Sequence, residues 1–169
     1  MKPALLVIDM QYWFFKIDLF STTEGKMILD SLVKNINELT EFFHSFNLPI
    51  FHITTEHKKD GSTLDLWGQR NNSTVLLEGS PDIEELDKLK IYPSDMKIIK
   101  TRHSAFIRTD LEEKLKLLGI DTLVITGYST NSCVGETAID SYNYDFDVLL
   151  AKDAILGPDP IRANTMLCL

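Results

Sequence analysis

Residues 121–138 read Asp-Thr-Leu-Val-Ile-Thr-Gly-Tyr-Ser-Thr-Asn-Ser-Cys-Val-Gly-Glu-Thr-Ala. The first six, Asp121–Thr126, are rich in β-branched residues and predict a strand. A polar turn follows, holding Ser129, Thr130, Asn131 and Ser132, and a helix is predicted from Cys133 to Tyr142. Strand, tight turn and helix in direct succession are the building unit of a parallel sheet covered by helices.

Outward from this stretch the same alternation recurs. Ala4–Ile8 is a short apolar run ending at Asp9. Thr22–Phe46 has helical spacing, with Ile28, Leu32, Ile36, Leu39 and Phe43 on one face. Ser21 and Glu24 form a capping box at its start, and Asn47 and Pro49 end it. Pro49–Thr54 reads as a second strand, 57–80 as a long loop and Pro81–Leu89 as a short helix. Lys97–Lys100 is a third strand. Thr109–Leu118 is a helix, with Thr109 and Glu112 as its capping box and Gly119 closing it. Phe146–Leu150 is a fifth strand and Pro160–Leu169 a last helix. No repeat or linker divides the chain, so one domain over residues 1–169 is expected. Its architecture is a three-layer α/β/α, a doubly wound, mostly parallel sheet.

Bulk properties fit a globular domain: 169 residues, 44% hydrophobic and 25% charged. The formal charge of −8 argues against nucleic acid and anionic membrane as partners, since both require clustered Lys and Arg. No apolar run is long enough to cross a bilayer, and Asp9 interrupts the N-terminal one too early for a signal peptide. The expectation is a cytoplasmic protein acting on a small molecule. Cys133 and Cys168 lack metal-ligand spacing, and a disulfide between them is not expected inside a cell.

In open parallel sheets, ligands bind outside the carboxyl ends of the strands. Asp9 follows the first strand, Lys100 closes the third, and Cys133 lies after the fourth. All three are therefore expected at one edge. Each has a bland alternative: a small buried thiol, a turn-capping carboxylate, a solvated lysine. Their shared edge and the polar turn before Cys133 favour chemistry. A helix N-terminus at Cys133 also favours thiolate over thiol.

Three blocks, V-I-D-M-Q (7–11), K-T-R-H-S-A-F (100–106) and G-Y-S-T-N-S-C-V-G-E-T-A-I-D (127–140), together resemble the isochorismatase-like cysteine hydrolases. This superfamily includes nicotinamidases and N-carbamoylsarcosine amidases. The resemblance spans nearly the whole chain. It implies a triad of Asp9, Lys100 and Cys133, and a non-proline cis peptide at Tyr128–Ser129. It also implies an oxyanion hole from the N–H groups of Ser129 and Cys133, hydrolysis of a C–N bond through a Cys133 thioester, and a homodimer or homotetramer. Relatives add a sixth strand after the last helix, so five or six strands are expected.

The chain also departs from that pattern. Nicotinamidases carry an Asp-x-His pair after the second strand as part of a metal site. Here Thr55 and His57 stand in that region, and no metal or other cofactor is expected. Where relatives read D-x-Q-N-D-F, this chain reads D-M-Q-Y-W-F-F. Tyr12, Trp13 and Phe14 replace the polar pair and, with Gln11, become candidates for the pocket, although core packing or a subunit contact fits the aromatics equally well. Trp67 in the long loop, His57 and His103 are further pocket candidates; Arg102 and His103 could hold a substrate carboxylate, with surface placement the commoner fate of each. His52 is expected to be structural and His44 solvated. Competing readings are a binding protein that kept the fold without turnover, a thiol redox protein using Cys168, and a nucleotide binder, which lacks a G-x-G-x-x-G or P-loop.

Overall fold

The computed structural model describes residues 1–158. Five strands, β1 (Pro3–Ile8), β2 (Ile50–Thr55), β3 (Met96–Lys100), β4 (Thr122–Tyr128) and β5 (Asp147–Leu156), form one sheet in the order β3-β2-β1-β4-β5. Every pairing is parallel. The predicted helix Pro160–Leu169 and Cys168 lie outside the described residues.

The central strand β1 is apolar throughout because both of its faces are covered. Ala4, Leu6 and Ile8 point to one layer, where they meet Leu111 and Leu115 of α4 (Leu111–Leu117) and Val134. Leu5 and Val7 point to the other, against Leu32, Val33, Ile36 and Phe43 of α2 (Thr23–Ser45). The remaining α-helices among the described residues are α1 (Asp18–Ser21), α3 (Leu66–Arg70) and α5 (Gly135–Asn143).

Several local expectations change. The cap of α2 is Thr22, whose Oγ1 accepts from the Gly25 N–H at 2.9 Å, while Ser21 Oγ donates to the Asp18 carbonyl. Gly25 is needed here because a Cβ would lie 1.8 Å from the Leu19 carbonyl oxygen. Ile28 is partly exposed, and Val33 takes its place on the buried face. At α4, Thr109 Oγ1 accepts from Leu111 N–H instead of forming a capping box with Glu112. Predicted helix Pro81–Leu89 shrinks to a single 3-10 turn, Pro81–Ile83. The following residues instead run along the end of β1, where the Leu86 N–H donates to the Met10 carbonyl. The 57–80 segment is a folded connection carrying α3. Predicted strand Phe146–Leu150 extends to Leu156 across an irregularity opposite Ile125/Gly127.

His52 is buried as expected, with Nδ1 2.7 Å from Glu85 and Nε2 3.4 Å from Asp95, so it ties β2 to the connection that follows it. His44 is exposed and stacks on Tyr92.

At Gly127 the backbone of β4 passes close to that of β1. The glycine φ is +108°, and a Cβ there would fall 2.1 Å from the Ile8 carbonyl oxygen. Gly127→Ala therefore combines a disfavoured backbone with an overlap against backbone atoms that cannot yield. The expected cost is about 3 kcal/mol or more, read as a lower urea midpoint with an unchanged m-value.

Candidate active site

Four strand ends converge at the carboxyl edge of the sheet. β1 delivers Asp9, β2 Thr55, β3 Lys100, and the turn after β4 delivers Cys133. Asp9 ends its strand in the left-handed region at φ 52°, a conformation Asp tolerates better than most residues. Lys100 follows the in–out alternation of β3: Ile98 and Lys100 face inward while Lys97 and Ile99 face solvent. An isoleucine half exposed beside a lysine 1% exposed reverses what hydrophobicity alone favours.

The Lys100 ammonium is the hub. Its Nζ lies 2.8 Å from Asp9 Oδ2, 2.7 Å from Thr55 Oγ1, 3.3 Å from Cys133 Sγ and 3.1 Å from the Arg102 carbonyl. Thr55 in turn donates to Asp9 Oδ1 at 2.9 Å, so the hydroxyl closes a ring between carboxylate and ammonium. Thr55 is a site residue that its sequence position suggests only as a departure from an Asp metal ligand. Its position at the end of β2 was the available signal.

Gln11, expected in the pocket, lies beneath it and is fully buried. Its Oε1 accepts from the Thr55 N–H at 2.8 Å, and its Nε2 donates to the carbonyls of Thr55 (3.0 Å) and Ile83 (2.7 Å). The amide thus continues the β1–β2 ladder one step beyond the strands and fixes Thr55. Tyr12 does not line the cavity and packs against the core, while the other expected pocket residues do meet. Trp13, Phe14, His57, Trp67 and His103 line one cavity of about 250 Å³ together with Lys100 and Cys133. Leu64, Val75, Leu76 and Arg102, from the connections after β2 and β3, complete much of its wall. Phe14 also packs on Tyr128, joining this wall to the core cluster of Phe15 and Phe20.

Cys133 does not open an α-helix. It sits within a short π-helical turn, Thr130–Val134, ahead of α5, and the peptide between Tyr128 and Ser129 is cis. The S-A-F and G-E-T-A blocks meet because the Ala105 N–H donates to Thr137 Oγ1 at 3.0 Å, which fixes the segment after Lys100 against α5.

The thiol is not pre-ionised. Burial first, and the Asp9 charge second, push Cys133 up to about 12, and Lys100 offsets this only in part. Burial works against the Lys100 charge too, but the Asp9 carboxylate and the Cys133 sulfur outweigh it and hold the ammonium above the usual lysine range. Burial lowers the His57 imidazole, which is therefore neutral at neutral pH.

The residues do not fit the metal site that the resemblance implies for nicotinamidases. The Thr55 hydroxyl is engaged by Asp9 and Lys100, and among the described residues no group of three or more His, Cys, Asp or Glu is placed to hold an ion. No helix among them is long and apolar enough to cross a membrane.

Comparison with known proteins identifies the family. The isochorismatase domain model matches residues 3–167. A probable inactive nicotinamidase of Arabidopsis thaliana is 31% identical over 94% of this chain and 83% of its own length. Among solved structures, an isochorismatase family protein from Desulfovibrio vulgaris superposes with a TM-score of 0.86 at 27% identity, covering 99% of this chain and 88% of that one. N-carbamoylsarcosine amidase from Thermoplasma acidophilum gives 0.82 at 26% identity, covering 100% and 92%. The chain belongs to the isochorismatase family, whose members include amidohydrolases acting on carbon–nitrogen bonds other than peptide bonds.

Proposed function

We propose that this protein is a cysteine amidohydrolase that cleaves an amide or carbamoyl-type C–N bond of a small molecule through a thioester on Cys133. The observation that carries this reading is the Lys100 ammonium, buried within hydrogen-bonding reach of both the Asp9 carboxylate and the Cys133 sulfur.

The raised thiol pKa describes loss of a proton to bulk water, which would leave the buried site with a net negative charge. Transfer from Cys133 to Asp9 keeps the proton inside and the net charge unchanged, with Lys100 facing both groups. Asp9 is thus the base that creates the nucleophile when substrate fills the cavity and displaces water. The thiolate attacks the carbonyl carbon, and the N–H groups of Ser129 and Cys133 receive the developing oxyanion. The proton held by Asp9 passes to the departing nitrogen, releasing ammonia or an amine and leaving the thioester. Water then cleaves it. The wall formed by Trp13, Phe14, Leu64, Trp67, Val75 and Leu76 favours a compact substrate with an apolar body.

A second reading is a binding protein without turnover. It is favoured by the relative named as a probable inactive nicotinamidase and by the protonated resting thiol.

Ammonia release from a panel of small primary amides and ureido compounds separates the two. Cys133→Ala should abolish turnover of any hit. Binding measured calorimetrically with no product from any hit would favour the second reading.

Asp9→Asn tests the electrostatics. Removing that negative charge beside Lys100 should lower the thiol pKa by about one unit or more. Iodoacetamide alkylation would then accelerate at a given alkaline pH, even as hydrolysis falls by about 10²–10⁴-fold through loss of the base. A variant alkylated no faster than wild type would remove Asp9 from this role.

Lys100→Ala leaves the fully buried Asp9 carboxylate without its counter-ion. It should destabilise the fold by about 3–5 kcal/mol, measurable by denaturant titration at neutral pH.

A further inference from the structure

We propose that His103 is a second catalytic base, acting on the water that cleaves the Cys133 thioester. The inference rests on the cysteine-hydrolase reading above and assigns a residue to its second half-reaction.

The two flanks of the sulfur differ. On the inner flank stands Lys100 with Asp9, whose side chain has no exposure to solvent. Asp9 Oδ1 accepts from Thr55 and Oδ2 faces Lys100. On the outer flank stands His103, an exposed residue lining the cavity, with Nδ1 3.6 Å from Cys133 Sγ. It follows Lys100 and Arg102 closely in the chain. Arg102 is held in place by its guanidinium donating to the Thr63 and Thr101 carbonyls, and the Ala105–Thr137 hydrogen bond anchors the other side of the histidine.

Once the amine has left, the acyl carbon is bonded to sulfur and projects into the cavity. The imidazole lines the same cavity, 3.6 Å from the sulfur. A water between that carbon and Nδ1 has a base on one side and an electrophile on the other, an arrangement within reach of general-base catalysis through a single water. Nδ1 accepts one proton as the water oxygen bonds to the acyl carbon. The tetrahedral intermediate then collapses, the C–S bond breaks, and the sulfur takes the proton back from the imidazolium. Thioester and water become carboxylic acid and thiol, with no other reactant. Asp9 serves acylation from the buried side and His103 serves deacylation from the wet side.

The test uses p-nitrophenyl acetate as probe. Its acetyl thioester is the same functional group that an amide substrate leaves on Cys133. Wild type, His103→Gln and Cys133→Ala are compared by stopped-flow release of nitrophenolate and by intact-protein mass. His103 is exposed, so its replacement is not expected to disturb folding. For His103→Gln the expected result is a burst of unchanged rate and amplitude, a steady-state rate lower by about 100-fold, and accumulation of protein carrying one acetyl group. A steady-state rate equal to wild type, or a burst slowed in proportion to turnover, overturns the proposal. If either occurs while Cys133→Ala has no burst, only the role of His103 fails. A wild-type burst persisting in Cys133→Ala would overturn the cysteine-hydrolase reading as well.

Discussion

Asp9 and Lys100 are removed from water almost entirely and stand 2.8 Å apart, and most of the candidate site is arranged around that pair. A buried ion pair is an expensive device, because the desolvation of both charges is repaid only when further hydrogen bonds satisfy the remaining donors and acceptors. Thr55 supplies such a bond to each partner, and Gln11 fixes Thr55. An apolar substitute would serve stability as well or better, so the pair points to chemistry. It gives Cys133 a fixed positive charge on one side and a proton acceptor within the same closed network.

The same burial sets the resting state. A sulfur near the start of a helical segment is expected to ionise easily, yet here the thiol is pushed up to about 12. Low dielectric surroundings penalise a lone thiolate, and Asp9 adds a second negative charge beside it. What the site permits is a proton moving from sulfur to carboxylate, with no change in total charge. In the proposed mechanism, nucleophile formation is therefore conditional on the occupant of the cavity, which spares a thiol that would otherwise meet oxidants.

The parallel fold was legible because β1, β2 and β4 are short apolar runs separated by helical patterns, and because a sheet buried on both faces demands that composition. Element ends were less legible. Capping depends on which hydroxyl reaches which N–H, and Thr22 displaced Ser21 through local geometry alone. The Pro81–Leu89 segment has helix-compatible residues, but its N–H and C=O groups find partners on the β1 end at Met10, Gln11 and Tyr12, so long-range pairing overrode local propensity. Of the pocket candidates, Trp13, Phe14, His57, Trp67 and His103 do line one cavity. Gln11 does not, since a polar side chain next to a catalytic candidate can as easily support it as face a ligand.

By itself, the sequence determined the layer architecture and the edge at which Asp9, Lys100 and Cys133 gather. Strand periodicity and the carboxyl-end rule depend only on residue order and on the geometry of a parallel sheet. Tertiary structure alone decided that Thr55 joins carboxylate to ammonium, that Gln11 lies under the floor, and that His103 stands 3.6 Å from the sulfur. Those facts are distances between residues 30 to 46 positions apart in the chain. They are set by how four strand ends and two long connections pack together, and no local pattern of amino acids encodes them.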